Sequence, residues 1–182
     1  MSKIQKLTIS ALLLTSGLLL PILTGQIPAI GNMLLPMHIP VLICGFLCGR
    51  KFGLIVGFIL PLLKSFIFEI PILYPIAISM SFEMATYGFI SGFLFSKAPS
   101  TKLTNIYCSL IPAMIIGRTV FGITQLILLN IVGNSFTFSA FISGVFFNSI
   151  PGIILQLIII PIIINNTQVF FAQHNYFRDN DY

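Results

Sequence analysis

Three ionisable side chains, Lys64, Glu83 and Arg118, interrupt runs of residues that are otherwise apolar. An ionisable group in hydrocarbon costs at least about 2.5 to 3.5 kcal/mol on insertion scales, so such residues face a partner or a wet cavity. Polar neighbours ride on the same helix faces: Tyr87 follows Glu83 by one turn, and Gln125 follows Arg118 by two. Further along, Asn148 and Gln156 are amides in an Ile- and Leu-rich stretch, and His38 opens an earlier apolar stretch. Asn32 closes the segment Gly25-Gln26-Ile27-Pro28-Ala29-Ile30-Gly31-Asn32, which is long and Gly/Pro-marked enough to act as a lid.

The chemistry open to this set is binding. Two cations, one carboxylate and neutral amides suit a small ligand with an anionic or zwitterionic group. Each residue also has a plain structural role to weigh. Lys64 would snorkel to the interface beside Glu69, Glu83 and Arg118 would form a buried ion pair, and His38 would be an interface residue. Gln156 is expected to make an interhelical hydrogen bond rather than touch ligand. No Gly-x-x-x-x-Gly-Lys-Ser/Thr loop, His-Glu-x-x-His motif or Ser, His and Asp set is present, so no catalytic residue and no metal site is expected.

Positioning these groups is the task of a chain with very little polar surface. Of its 182 residues, 57% are hydrophobic and only 7% charged, with a mean hydropathy of +1.05, whereas a soluble domain carries about a quarter charged residues. Lipid must therefore be its solvent. The expected fold is an all-α integral membrane protein, a single bundle of six transmembrane helices with spans near 5–25, 34–49, 53–69, 75–96, 104–131 and 138–164. Pro36 and Pro40 near the second span and Pro61 inside the third predict short, kinked or partly unwound helices there. The polar tail, 165–182, is expected to be loosely ordered.

Lys and Arg mark the cytoplasmic side. Threading six spans from an inside N-terminus places Lys3, Lys6, Arg50, Lys51, Lys97, Lys102 and Arg178 inside, seven of the nine Lys and Arg, with none in the outer loops and both termini cytoplasmic. Only Lys64 and Arg118 are left over. In this threading His38, Lys64, Glu83, Arg118, Gln125 and Asn148 share the outer half of the membrane, which predicts one outward-facing polar pocket. The net charge of +5 comes from scattered residues, not a patch, which excludes nucleic acid as a partner. Cys44, Cys48 and Cys108 read as buried packing residues rather than a disulfide framework. The apolar run from Leu7 to Thr24 is long for a signal peptide and is expected to remain as the first span. Gly45-x-x-x-Gly49, Gly53-x-x-x-Gly57 and Gly88-x-x-x-Gly92 predict close helix packing within the chain, and Ala11-x-x-x-Thr15 offers a small-residue strip to a separate protein.

The stretch Leu35-Pro36-Met37-His38-Ile39-Pro40-Val41-Leu42 leading into Cys48-Gly49-Arg50-Lys51-Phe52-Gly53-Leu54-Ile55-Val56-Gly57, together with Phe82-Glu83-Met84-Ala85-Thr86-Tyr87-Gly88, resembles the substrate-binding S components of bacterial energy-coupling factor (ECF) transporters. That resemblance implies an importer subunit in the bacterial cell membrane, with a pocket near the outer face closed by the first outer loop. It also implies assembly with a transmembrane coupling subunit and two cytoplasmic ATPases. ATP is then used by those partners, and this chain needs no cofactor. Members often meet the coupling subunit through an Ala-x-x-x-Ala strip on the first helix, where Thr15 stands in place of the second Ala here. Nickel and cobalt members carry a His near residue two, whereas this chain begins Met1-Ser2-Lys3, which disfavours metal uptake. The charge pattern leans slightly to a carboxylate vitamin such as pantothenate. The alternatives are a membrane scaffold whose buried charges only pair with each other, and a small enzyme acting on lipid.

Overall fold

Sequence and backbone chemistry agree from the first turn. Ser2 donates its N–H to Gln5 Oε1 at 2.8 Å while its hydroxyl accepts the Gln5 N–H at 3.2 Å, a reciprocal cap that starts the first helix. The computed structural model describes residues 2–23, 36–98, 102–131 and 150–179, with 168–179 as backbone alone. All its regular structure is helical: α1 Lys3–Leu23, α2 His38–Cys48, α3 Arg50–Phe68, a π-helical turn Leu73–Ala77 that leads into α4 Ile78–Ser96, α5 Leu103–Ile131 and α6 Ile150–Asp179.

Four of these helices, α1, α3, α5 and α6, are long and apolar enough to cross a membrane. Their outer faces carry exposed Leu7, Leu12, Ile55, Phe66, Ile115, Ile127, Ile154 and Ile158, side chains that need lipid against them. The expected second span, 34–49, is cut down in the described residues to α2, whose 11 residues rise only about 16 Å. Half a bilayer is all it can cover. It survives because it is enclosed: nine of its residues, from His38 to Cys48, are buried among α1, α3, α4 and α6.

The third expected span, by contrast, is not unwound. α3 runs unbroken through Pro61 from Arg50 to Phe68. Between α2 and α3 the chain reverses at Gly49, whose φ of 89° lies in the left-handed region open to glycine. The fifth span matches α5, and the sixth is described only from Ile150. Its helix continues to Asp179, so the tail expected to be loosely ordered from 165 is helical. No Pro or Gly follows Pro161 to stop it, and the Thr167 hydroxyl turns back to the Ile163 carbonyl at 2.6 Å.

α4 lies at the centre, packed against α3, α5 and α2. Gly53 and Gly88 let α3 and α4 touch through their backbones: a Cβ on Gly88 would sit 2.8 Å from the Gly53 Cα. Farther along, a Cβ on Gly92 would meet the Gly45 carbonyl of α2 and the Arg50 amide at 2.6 Å. The Cys44 thiol donates to Ser10 Oγ at 3.5 Å, tying α2 to α1. Arg50 and Lys97 share the ring of Phe93 at 5.6 and 4.3 Å, and mark the basic end of the bundle, where α2 and α4 end and α3 and α5 begin.

Placing a methyl group at the α3–α4 contact forces the helices apart. Gly88→Ala is expected to lower stability in detergent by about 1–3 kcal/mol. Thermal unfolding of the purified protein checks it, with Gly88→Ala melting well below wild type.

Candidate functional site

Glu83 sits in the second turn of α4, the helix with the most enclosed position. Hydroxyls on this helix are satisfied by its own backbone, Ser79 with Pro75 O at 2.9 Å and Ser81 with Ala77 O at 2.8 Å. The carboxylate only accepts, so no backbone carbonyl can serve it and it must find side-chain donors. It finds two, and a third polar group faces it. Tyr87, one turn along α4, donates its hydroxyl to Glu83 Oε1 at 2.9 Å. Arg118 of α5 brings Nη1 to the same oxygen at 3.1 Å. His38, the first residue of α2, places Nε2 3.6 Å from Oε2 and its ring 5.4 Å from that of Tyr87.

Gly117 makes this convergence possible. A Cβ there would collide with the Tyr87 ring, so the missing side chain lets Tyr87 lie flat on α5 next to Arg118. Sequence reading did not single out Gly117, although a glycine beside the one Arg of an apolar helix was a usable signal. The cluster is sealed: His38 and Glu83 are 1% exposed and Arg118 5%.

Sealing has not satisfied it. Among the described residues, Arg118 Nε and Nη2, His38 Nδ1 and Nε2, and Gln125 Oε1 are buried with no hydrogen-bond partner. A buried polar group left unmade costs about 1–3 kcal/mol, and more when charged. Four of those five atoms are nitrogens, while the Glu83 oxygens are already faced by Tyr87, Arg118 and His38. Arg118 Nε and Nη2 can only donate, so what the guanidinium lacks is an acceptor.

The structure therefore brings His38, Glu83, Tyr87 and Arg118 together from three helices, with Gln125 two turns farther along α5 from the basic end. Lys64 is partly buried on α3 and makes no ion pair among the described residues. Its expected pairing with Glu69 is not formed; Glu69 is exposed and is the left-handed cap of α3, φ 59°. Asn32, Asn148 and the expected lid, 25–32, lie outside the described residues. Ala11 and Thr15 are exposed on α1, and the Thr15 hydroxyl is spent on the Ala11 carbonyl at 3.0 Å, which leaves the strip small and apolar.

Gln156 corrects another expectation. It is 1% exposed, yet neither of its amide atoms has a hydrogen-bond partner, so the interhelical bond expected of it is not made. Nor does it join Glu83. The Leu157 carbonyl beside it accepts from Tyr107 at 3.2 Å, about three turns from Arg118 towards the basic end. A surface groove lined by Leu103, Tyr107, Cys108, Ile111 and Pro112 lies at the same end, carries no charged side chain, and is not the site. No group of three or more His, Cys, Asp or Glu capable of holding a metal occurs among the described residues.

The sequence model of the family described as "ECF transporter, substrate-specific component" matches residues 5–164, a range that contains all the converging residues. No curated protein and no solved structure matches the chain.

Breaking the pair from one side strands the carboxylate. Arg118→Met is expected to destabilise the protein by about 3–5 kcal/mol, and Arg118→Met combined with Glu83→Gln to recover most of that loss. Chemical or thermal unfolding in detergent of the two variants reads the difference.

Proposed function

The chain belongs to the ECF transporter substrate-specific component family, and we propose from that membership and the site geometry that it captures a small water-soluble vitamin or vitamin precursor for import. The family is one of transporter components, not of enzymes, and its members bind a small molecule and work with an ECF module in the membrane. In our reading the ligand enters from outside the bacterial plasma membrane, which the chain crosses about six times with both termini cytoplasmic. It docks against His38, Glu83, Tyr87 and Arg118, and Gln125 sets its orientation. Asn32, Lys64 and Asn148 stay as further candidate contacts, the first and last by depth in the sequence alone. A transmembrane coupling subunit meets α1 at Ala11 and Thr15, and two cytoplasmic ATPases supply the energy, so this chain carries no cofactor and performs no catalysis.

One observation carries the reading. A scaffold built on a Glu83–Arg118 pair would need the donors around it closed, whereas here Arg118 Nε and Nη2 stay buried and open. Those two N–H groups are placed to meet an acceptor from outside the chain. An anionic ligand fits, with a slight lean to a carboxylate such as pantothenate.

Screening water-soluble vitamins for stabilisation of the detergent-purified protein tests the proposal. One ligand should raise the melting temperature, the gain reaching about 2.7 kcal/mol at a concentration 100 times its Kd. A response to none of them would count for the scaffold, and an equal response after Glu83→Gln and Arg118→Lys are combined would put the ligand away from this cluster.

A further inference from the structure

Arg118 uses only one corner of its guanidinium. Nη1, the terminal nitrogen on the Cδ side, is held by Glu83 Oε1 at 3.1 Å. Nε and Nη2 form the opposite, side-on edge of the planar group, where two N–H bonds run parallel at the spacing of two carboxylate oxygens. Both are buried without a partner. Glu83 thus does more than neutralise Arg118: by fixing one corner it fixes the plane and presents the free edge. Seven residues on, with a Cα about 10 Å farther from the basic end along the same face of α5, Gln125 holds its Oε1 buried and open. An amide oxygen only accepts, so it asks the ligand for a donor.

We infer that the ligand is a monocarboxylic acid whose carboxylate docks in two parallel hydrogen bonds on Arg118 Nε and Nη2, and which carries a hydroxyl or amide N–H towards its other end to donate to Gln125 Oε1. The inference rests on the importer reading and narrows it. Charge selects a carboxylate over a phosphate monoester, the other acceptor that fits a guanidinium edge. Arg118 and Glu83 cancel, so a singly charged ligand adds one uncompensated charge to a sealed site and a doubly charged one adds two. Glu83 acts as a positioning residue here, with its own oxygens turned to Tyr87, Arg118 and His38.

The test is carried out on the full chain purified from its own membranes. The molecule released on denaturation is identified by mass spectrometry, with and without methyl esterification. A molecule that gains one methyl ester is expected, and Arg118→Lys, which keeps the charge but loses the edge, should retain it at least about tenfold less well. A released molecule without a carboxyl group, or with a phosphate in its place, overturns the inference while leaving the importer reading standing. Undiminished retention by Arg118→Lys also overturns it. If no molecule is released from wild type, the importer reading itself falls. Should Arg118→Lys fail to accumulate, the methyl ester of the released molecule serves as probe on wild-type protein: at least about tenfold weaker binding than the free acid is expected, and equal binding overturns the inference.

Discussion

Glu83 is a carboxylate buried where neither water nor its own helix can satisfy it, and the arrangement of the bundle's centre answers that constraint. Its two oxygens are met by α2, α4 and α5 at once, through His38, Tyr87 and Arg118. A charge in such a place is tolerated only when paired and hydrogen-bonded, so these three helices are locked in relative height as well as in contact. The lock is asymmetric. It satisfies the carboxylate and leaves the guanidinium and imidazole with nitrogens to spare.

Packing supplies the room for this. With little hydrophobic drive between helices in lipid, close approach depends on small residues. Gly53 against Gly88 brings the α3 and α4 backbones together, and Gly117 admits the Tyr87 ring to the face of α5. α2, too short to cross hydrocarbon, is carried inside the bundle by its buried faces, which sets His38 at the level of Glu83. The cluster is thus built from one short enclosed helix and two long ones, and the long helices carry the exposed apolar side chains.

The clustered residues were legible for an electrostatic reason. Ionisable groups in hydrocarbon are rare, and the distribution of Lys and Arg gives each span a direction, so the depths of His38, Glu83 and Arg118 could be aligned from the sequence alone. Features decided by tertiary enclosure were not legible. The 11-residue length of α2 has no local signal, because a buried half-helix and a kinked span share the same apolar composition. Continuity through Pro61 and beyond Asn165 depends on packing and on the absence of a breaker, not on propensity. The left-handed cap at Glu69, beside the Lys64 it was expected to pair with, is a backbone event invisible in the spacing. Gln156 shows the same limit: its sequence context predicts a hydrogen bond across helices, yet the neighbours that close around it offer no partner.

An experimental structure of the full chain with its native small molecule bound would test the central claim most directly, namely that the Glu83-centred cluster is the ligand site. The account predicts a ligand acceptor about 2.7–2.9 Å from Arg118 Nε and Nη2, with the Glu83 contact to Nη1 retained. A ligand seated elsewhere in the bundle, with Arg118 bonded to Glu83 alone and its free edge still empty, would contradict it.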